Sequence, residues 1–194
     1  MTLTVDTLTA WMNNFAQKVQ ANKDYLSDLD TPIGDSDHGF NMDRGMQAVV
    51  KNLSSAPEDV PAGLKKIAMS IISTVGGASG PLYGTAFLEM AKKSAQTSDL
   101  NDLLTAALAG IEKRGGAQPG DKTMVDVWDQ LIPQVNDGSI TQESIDAAVE
   151  STKDMIAKKG RASYLGERSK GHIDPGAQSS GYLFSALIET EGLL

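Results

Sequence analysis

Asp30, Asp35 and Asp37 fall within eight residues, Asp30-Thr-Pro-Ile-Gly-Asp35-Ser-Asp37, and His38-Gly39-Phe40-Asn41 follow at once. Carboxylates this close repel one another, and a short segment carrying three of them is stabilised when a cation neutralises it. Pro32, Gly34 and Gly39 predict a shaped loop in place of a helical turn, so that the oxygens can converge on one point. A hard divalent cation suits an all-oxygen donor set, and the chain has no cysteine to supply a thiolate. An EF-hand counted from Asp35 fails, because Gly39, Phe40 and Met46 stand where Asp or Asn, Gly and Glu are required. Three carboxylates with few other oxygens favour Mg²⁺, which keeps waters and shares its coordination with substrate phosphates. The competing reading is a solvated acidic turn between two helices.

Other segments offer anion-binding chemistry. Gly76-Gly-Ala-Ser79-Gly80 is predicted to open a helix, presenting backbone amides, a hydroxyl and a positive helix end to a phosphate. It is neither a P-loop nor a dinucleotide fingerprint, and small residues there also serve close helix packing. Lys158 to Lys170 carries five basic residues against one acidic in an acidic chain, a local inversion that points to an anion. Arg161 is the residue expected to grip phosphate oxygens, whereas Lys158 and Lys159 read as cations at a helix C-terminus. Asp174-Pro175-Gly176 makes a tight turn, with Asp174 free to accept a bond from a sugar hydroxyl or an amide. His38, beside three aspartates, is expected to be protonated and to hold a phosphate oxygen. The other histidine, His172, carries no assignment.

These residues need a scaffold, and the hydrophobic period is helical nearly everywhere. Eight stripes recur: Leu8 to Val19, Met42 to Val50, Leu64 to Ile72, Phe87 to Met90, Leu103 to Ile111, Met124 to Ile132, Ile145 to Ile156, and Tyr182 to Leu187. No strictly alternating stretch competes, so the chain reads as all-α, a single domain of eight helices over residues 1–194. Alternate connections differ in character. In an up-and-down arrangement the acidic loop, the Gly76 loop, Gly115-Gly-Ala-Gln-Pro-Gly120 and the Gly160–Gly176 segment share one end, while plain turns occupy the other.

Composition narrows the function. A net charge of −8 argues against nucleic acid as the main partner. Zero cysteines exclude disulfides and thiol nucleophiles. No apolar run approaches ~18 residues, so no membrane span is expected, and Met1 to Asp6 does not read as the start of a signal peptide. The cytoplasm is the expected compartment.

Asp30 to Asn41, the Gly76–Gly84 run, Pro119-Gly-Asp-Lys-Thr-Met124 and Gly160-Arg-Ala-Ser-Tyr-Leu-Gly-Glu-Arg168, in this order and across the whole chain, resemble the L subunits of bacterial dihydroxyacetone kinases. The resemblance implies an eight-helix up-and-down barrel with ADP and two Mg²⁺ at one end. It implies Asp30, Asp35 and Asp37 as metal ligands. It also implies nucleotide contacts from His38, Gly39, Phe40, Asn41, Ser79, Gly80, Gly115, Met124, Arg161, Asp174, Pro175 and Gly176. No protein nucleophile is implied. The implied partners are a dihydroxyacetone-binding K subunit and a phosphohistidine protein of the sugar phosphotransferase system (the M subunit), with ADP as a bound coenzyme that cycles with ATP. An ATP-dependent dihydroxyacetone or triose kinase subunit and a nucleotide-loaded regulator of a transcription factor stay open as alternatives. A homodimer also stays open.

Overall fold

The stripes become helices because each presents one apolar face and is bounded by capping or breaking residues. The computed structural model describes residues 1–194. It contains nine α-helices: α1 Val5–Ala21, α2 Lys23–Asp30, α3 His38–Leu53, α4 Val60–Thr74, α5 Ser79–Lys93, α6 Leu100–Gly115, α7 Met124–Asp137, α8 Gln142–Glu150 and α9 Pro175–Ile188. A 3₁₀ segment, Arg161–Ser169, precedes α9. Thr4, Asp59, Asp99, Thr123, Thr141 and Asp174 each accept a backbone N–H at a helix start, as Ser, Thr, Asp and Asn do at this position. The only β pairing is an isolated bridge between Thr2 and Asp99.

Neighbours in sequence pack side by side: α1 on α3, then α3–α4, α4–α5, α5–α6, α6–α7, α7–α8 and α8–α9, and α9 returns to α1. Eight helices thus close a ring, and α2 leans on α3 and α9. Trp11, Phe15, Tyr83, Phe87, Trp128 and Phe184 fill the interior. Trp11 Nε1 donates to the Leu183 carbonyl at 2.9 Å, which joins α1 to α9 where the ring closes. One continuous apolar core runs from Leu3 to Leu193.

Three expectations need correction. Nine α-helices form rather than eight, because the chain turns at Asn22 and starts α2, so Asp30 ends a helix and is not a loop residue. At eight residues α2 is too short to register as a stripe; only Leu26 among its apolar side chains is buried. The helix of the seventh stripe stops at Glu150, which leaves Met155 and Ile156 in an irregular segment. Lys158 and Lys159 therefore do not complement a helix C-terminus. Lys158 Nζ lies 3.5 Å from Asp121 instead.

Candidate functional site

The α2–α3, α4–α5, α6–α7 and α8–α9 connections line one cavity of about 660 Å³. It is an open rim site fed by every unusual loop of the sequence, as expected from their alternation. Asp30, Asp35, Asp37, His38, Asn41, Ser79, Gly115, Met124, Arg161, Asp174, Pro175 and Gly176 all line it. Gly39, Phe40 and Gly80 do not. An added Cβ at Gly39 would lie 1.8 Å from the Lys23 carbonyl oxygen, and one at Gly80 2.2 Å from that of Val75. These glycines let helix backbones approach, and Phe40 is half exposed outside the cavity.

The acidic loop converges as its spacing predicts. Carboxylate oxygens of Asp30, Asp35 and Asp37 all lie within 4.8 Å of one another. Asp30 is buried at the end of α2, and its Oδ2 accepts the N–H groups of Asp37 (3.0 Å) and His38 (3.4 Å). It thereby satisfies the start of α3, which has no cap from Asp37 itself. A Cβ on Gly34 would stand 1.8 Å from Asp30 Oδ1, so only glycine leaves that oxygen accessible. Ser36 takes a left-handed φ of 64° to bring Asp35 and Asp37 around it. Partial desolvation and the neighbouring Asp37 raise the Asp35 pKa, and Arg161, whose Nη2 is 2.8 Å from Asp35, opposes the rise. Three mutually repelling oxygen donors around one point fit a hard divalent cation.

His38 departs from expectation. Burial lowers its pKa to about 4 despite Asp30 and Asp37, so the ring is neutral. Both nitrogens are also engaged: Nδ1 with Ser79 Oγ at 3.1 Å and Nε2 with Ser179 Oγ at 3.0 Å. Ser179 continues to the Tyr83 hydroxyl (2.8 Å), Tyr83 to Ser180 (2.9 Å), and Trp128 Nε1 donates to Ser180 (2.9 Å). Desolvation outweighs the nearby carboxylates because a charged ring buried here would give up its hydration. His38 fixes Ser79 and does not act as a cation.

Asn41 and the α5 N-terminus supply hydrogen-bond donors. Arg44 Nη2 donates to Asn41 Oδ1 at 2.6 Å and its Nε to the Thr74 carbonyl at 2.8 Å, which turns the Asn41 amide group away from Arg44. No side chain caps α5, so its first amides are open toward an anion.

The other wall is built from loops. Leu82, Ile111, Ala117, Met124 and Val125 give it apolar surface. Asp126 Oδ1 accepts Gly120 N–H at 2.5 Å and Oδ2 accepts Thr123 N–H at 2.7 Å, which folds the 120–126 turn onto α7. Asp174 Oδ2 caps α9 through Ala177 N–H at 2.8 Å. Enclosure of its carboxyl raises the pKa to about 7, against the pull of that hydrogen bond and of Lys122. Arg114, Lys158 and Lys159 join Arg161 on the lining, a basic arc in a chain of net charge −8.

Sequence reasoning missed Arg114, Lys122, Asp126, Tyr83 and Ser179. Asp126 was within reach, since Thr123 followed three residues later by an acid is a capping-box pattern. Tyr83 and Ser179 meet only through tertiary packing.

The DAK2 domain model matches residues 32–189. The chain is 52% identical over 188 residues to the PTS-dependent dihydroxyacetone kinase, ADP-binding subunit DhaL, of Lactococcus lactis, covering 96% of this chain and 98% of that one. It is 39% identical to the PEP-dependent dihydroxyacetone kinase, ADP-binding subunit DhaL, of Escherichia coli, covering 96% and 97%. A solved dihydroxyacetone kinase from C. freundii, in complex with AMP-PNP and Mg²⁺, shares the fold with a TM-score of 0.79 at 22% identity, over 98% of this chain and 35% of that one. The chain therefore belongs to the DAK2 domain family and, within it, groups with the DhaL subunits of bacterial dihydroxyacetone kinases.

Proposed function

We propose that this chain is the nucleotide-binding subunit of a dihydroxyacetone kinase, a single nucleotide-binding domain with ADP and two Mg²⁺ in the rim cavity. One observation carries the reading: a single cavity joins three converging carboxylates, the uncapped N-terminus of α5 and an apolar wall. The names of the 52% and 39% identical relatives support it.

Asp30, Asp35 and Asp37 hold the cations, which neutralise phosphate charge during phosphoryl transfer. The α5 start (Ser79, Gly80) directs amides and a hydroxyl held by His38 at phosphate oxygens, with the α3 start (His38 to Asn41) beside it. Met124, an adaptable apolar group, faces the base, and Gly115 and Asp174-Pro175-Gly176 complete the pocket. Arg161 reaches the cavity as a guanidinium able to bind phosphate in two-pronged fashion. In this reading no side chain of the chain acts as nucleophile. Its work is positioning and charge stabilisation.

ADP serves as a retained coenzyme. The phosphoryl group arrives from a phosphohistidine protein of the phosphotransferase system and leaves to dihydroxyacetone on a separate K subunit, in the cytoplasm. Reconstitution tests this. The chain alone, given dihydroxyacetone and ATP, makes no product; adding the K subunit and a phosphohistidine donor restores turnover without free ATP. Steady ATP-driven phosphorylation with rapid exchange of labelled ADP identifies an ATP-dependent kinase subunit instead.

A further inference from the structure

Lys122 is almost wholly buried and makes no ion pair. Its ammonium donates to three backbone carbonyls: Thr152 and His172 at 2.5 Å, and Lys153 at 3.3 Å. Three donors meet three acceptors, so the charge is fully solvated by peptide groups. The backbone at Lys122 is left-handed, with φ of 61°, a conformation that disfavours side chains and persists only where surroundings enforce it. Thr152 and Lys153 lie just beyond the last residue of α8, Glu150, where the helix dipole is negative and a cation is favoured. Burial lowers the Lys122 pKa, and Asp174, Asp154 and Asp126 counter it.

The three strands of chain gathered at this ammonium are the ones that build one half of the cavity. Thr123 and Met124 follow Lys122 directly. Lys153 leads to Lys158 and Arg161, and the Asp121 carbonyl accepts Lys158 N–H at 3.1 Å. His172 leads into Asp174-Pro175-Gly176, and Asp174 N–H donates to Thr152 Oγ1 at 3.1 Å. The carboxylate half, Asp30 to Asn41 with Ser79, rests on α2, α3 and α5 and makes no bond to Lys122.

We infer that Lys122 is a positioning residue that sets the shape of the nucleoside-facing half of the cavity, so that preference for ADP over a bare diphosphate depends on it. Lys122 does not line the cavity, so it acts through Met124 and Asp174–Gly176 and not by touching ligand. This inference rests on the nucleotide reading above.

Calorimetric titration of nucleotide-stripped protein with ADP and with inorganic pyrophosphate, both in saturating Mg²⁺, tests it. Lys122→Met leaves three buried carbonyls unpaired, and its ADP affinity falls by on the order of tenfold or more, while pyrophosphate affinity stays within about twofold. Lys122→Arg recovers part of the ADP preference. Thr152→Val, which removes the Asp174 tie and the hydroxyl bond to the Val149 carbonyl but keeps the Thr152 carbonyl that Lys122 holds, shifts the ratio in the same direction by less, and decides the matter if Lys122→Met does not fold. An unchanged ratio in a folded variant, or parallel loss of both ligands, overturns the inference and leaves the nucleotide reading standing. Wild-type protein that binds pyrophosphate but not ADP overturns the nucleotide reading and this inference with it.

Discussion

The two halves of the cavity are held by different physics. The carboxylate half is delivered by helix ends: Asp30 closes α2, His38 opens α3 and Ser79 opens α5. Rigid elements packed in the core fix it, and the His38–Ser179–Tyr83–Ser180–Trp128 series anchors it to the interior. The other half, assigned above to the nucleoside, is delivered by segments outside the α-helices, 116–123 and 151–174 with its 3₁₀ stretch, which depend on Lys122, Asp126 and Thr152. A site can thus divide its labour, with precise charge placement on helices and shape recognition on loops pinned from beneath.

The largest expected effect lies in the first half. Asp35→Ala abolishes phosphoryl transfer and loosens ADP, while the metal-free protein keeps or gains stability because a repelling carboxylate is gone. Asp30→Ala loses activity equally but also destabilises the metal-free fold by roughly 1–3 kcal/mol, since two amides at the α3 start lose their acceptor. Thermal melts of both variants in chelator separate them. Equal melting points would show that Asp30 does not organise the loop, and near wild-type turnover by Asp35→Ala would remove the metal assignment.

A smaller effect tests the second half. The Asp174 pKa is raised to about 7 from 3.8, so between those values the folded chain binds more protons than the unfolded one. Stability contributed by this group is therefore present at low pH and is lost as pH rises from about 4 to 7. Asp174→Asn retains a capping side chain and removes the titration. In nucleotide-free protein, the wild-type melting temperature falls relative to the variant across that window and the difference levels off above it. A difference that is flat from pH 4 to 7 contradicts the enclosure of this carboxyl.

The smallest effect concerns the exposed end of the 3₁₀ segment. Arg168 is exposed on the 3₁₀ segment and pairs with nothing, and Tyr164 on the same segment is 88% exposed. Arg168→Glu slows association with the partner proteins several-fold and leaves transfer within the docked complex unchanged, as rim charges do. Stopped-flow kinetics at two ionic strengths resolve the two steps; a changed transfer rate with unchanged association places Arg168 in the chemistry.

The same division explains what the sequence disclosed. Local signals suffice for the first half: the Asp30–Asp37 spacing, Gly34 beside Asp30, and the Gly76 run before α5 all act within a few residues. Helical stripes likewise showed the ring, because each face is buried against its neighbours. The second half depends on contacts distant in sequence. Lys122 reaches carbonyls 30 to 50 positions away, and nothing in its neighbours marks it as buried. The protonation of His38 failed for a related reason: adjacent aspartates are visible in sequence, whereas enclosure by Ser79, Ser179 and Tyr83 is not. Helix α2 escaped notice because its eight residues bury a single apolar side chain, Leu26.

The most direct test is the nucleotide content of the native protein. The chain is purified without added nucleotide but with Mg²⁺, passed through gel filtration, acid-precipitated, and the supernatant quantified by anion-exchange chromatography. Close to one ADP per chain is expected, released by chelator and dialysis with a large drop in melting temperature. The drop follows because a bound ligand at a thousandfold excess over Kd adds about 4 kcal/mol. Protein that emerges empty, binds no Mg-ADP on titration and melts at the same temperature with or without it contradicts the account.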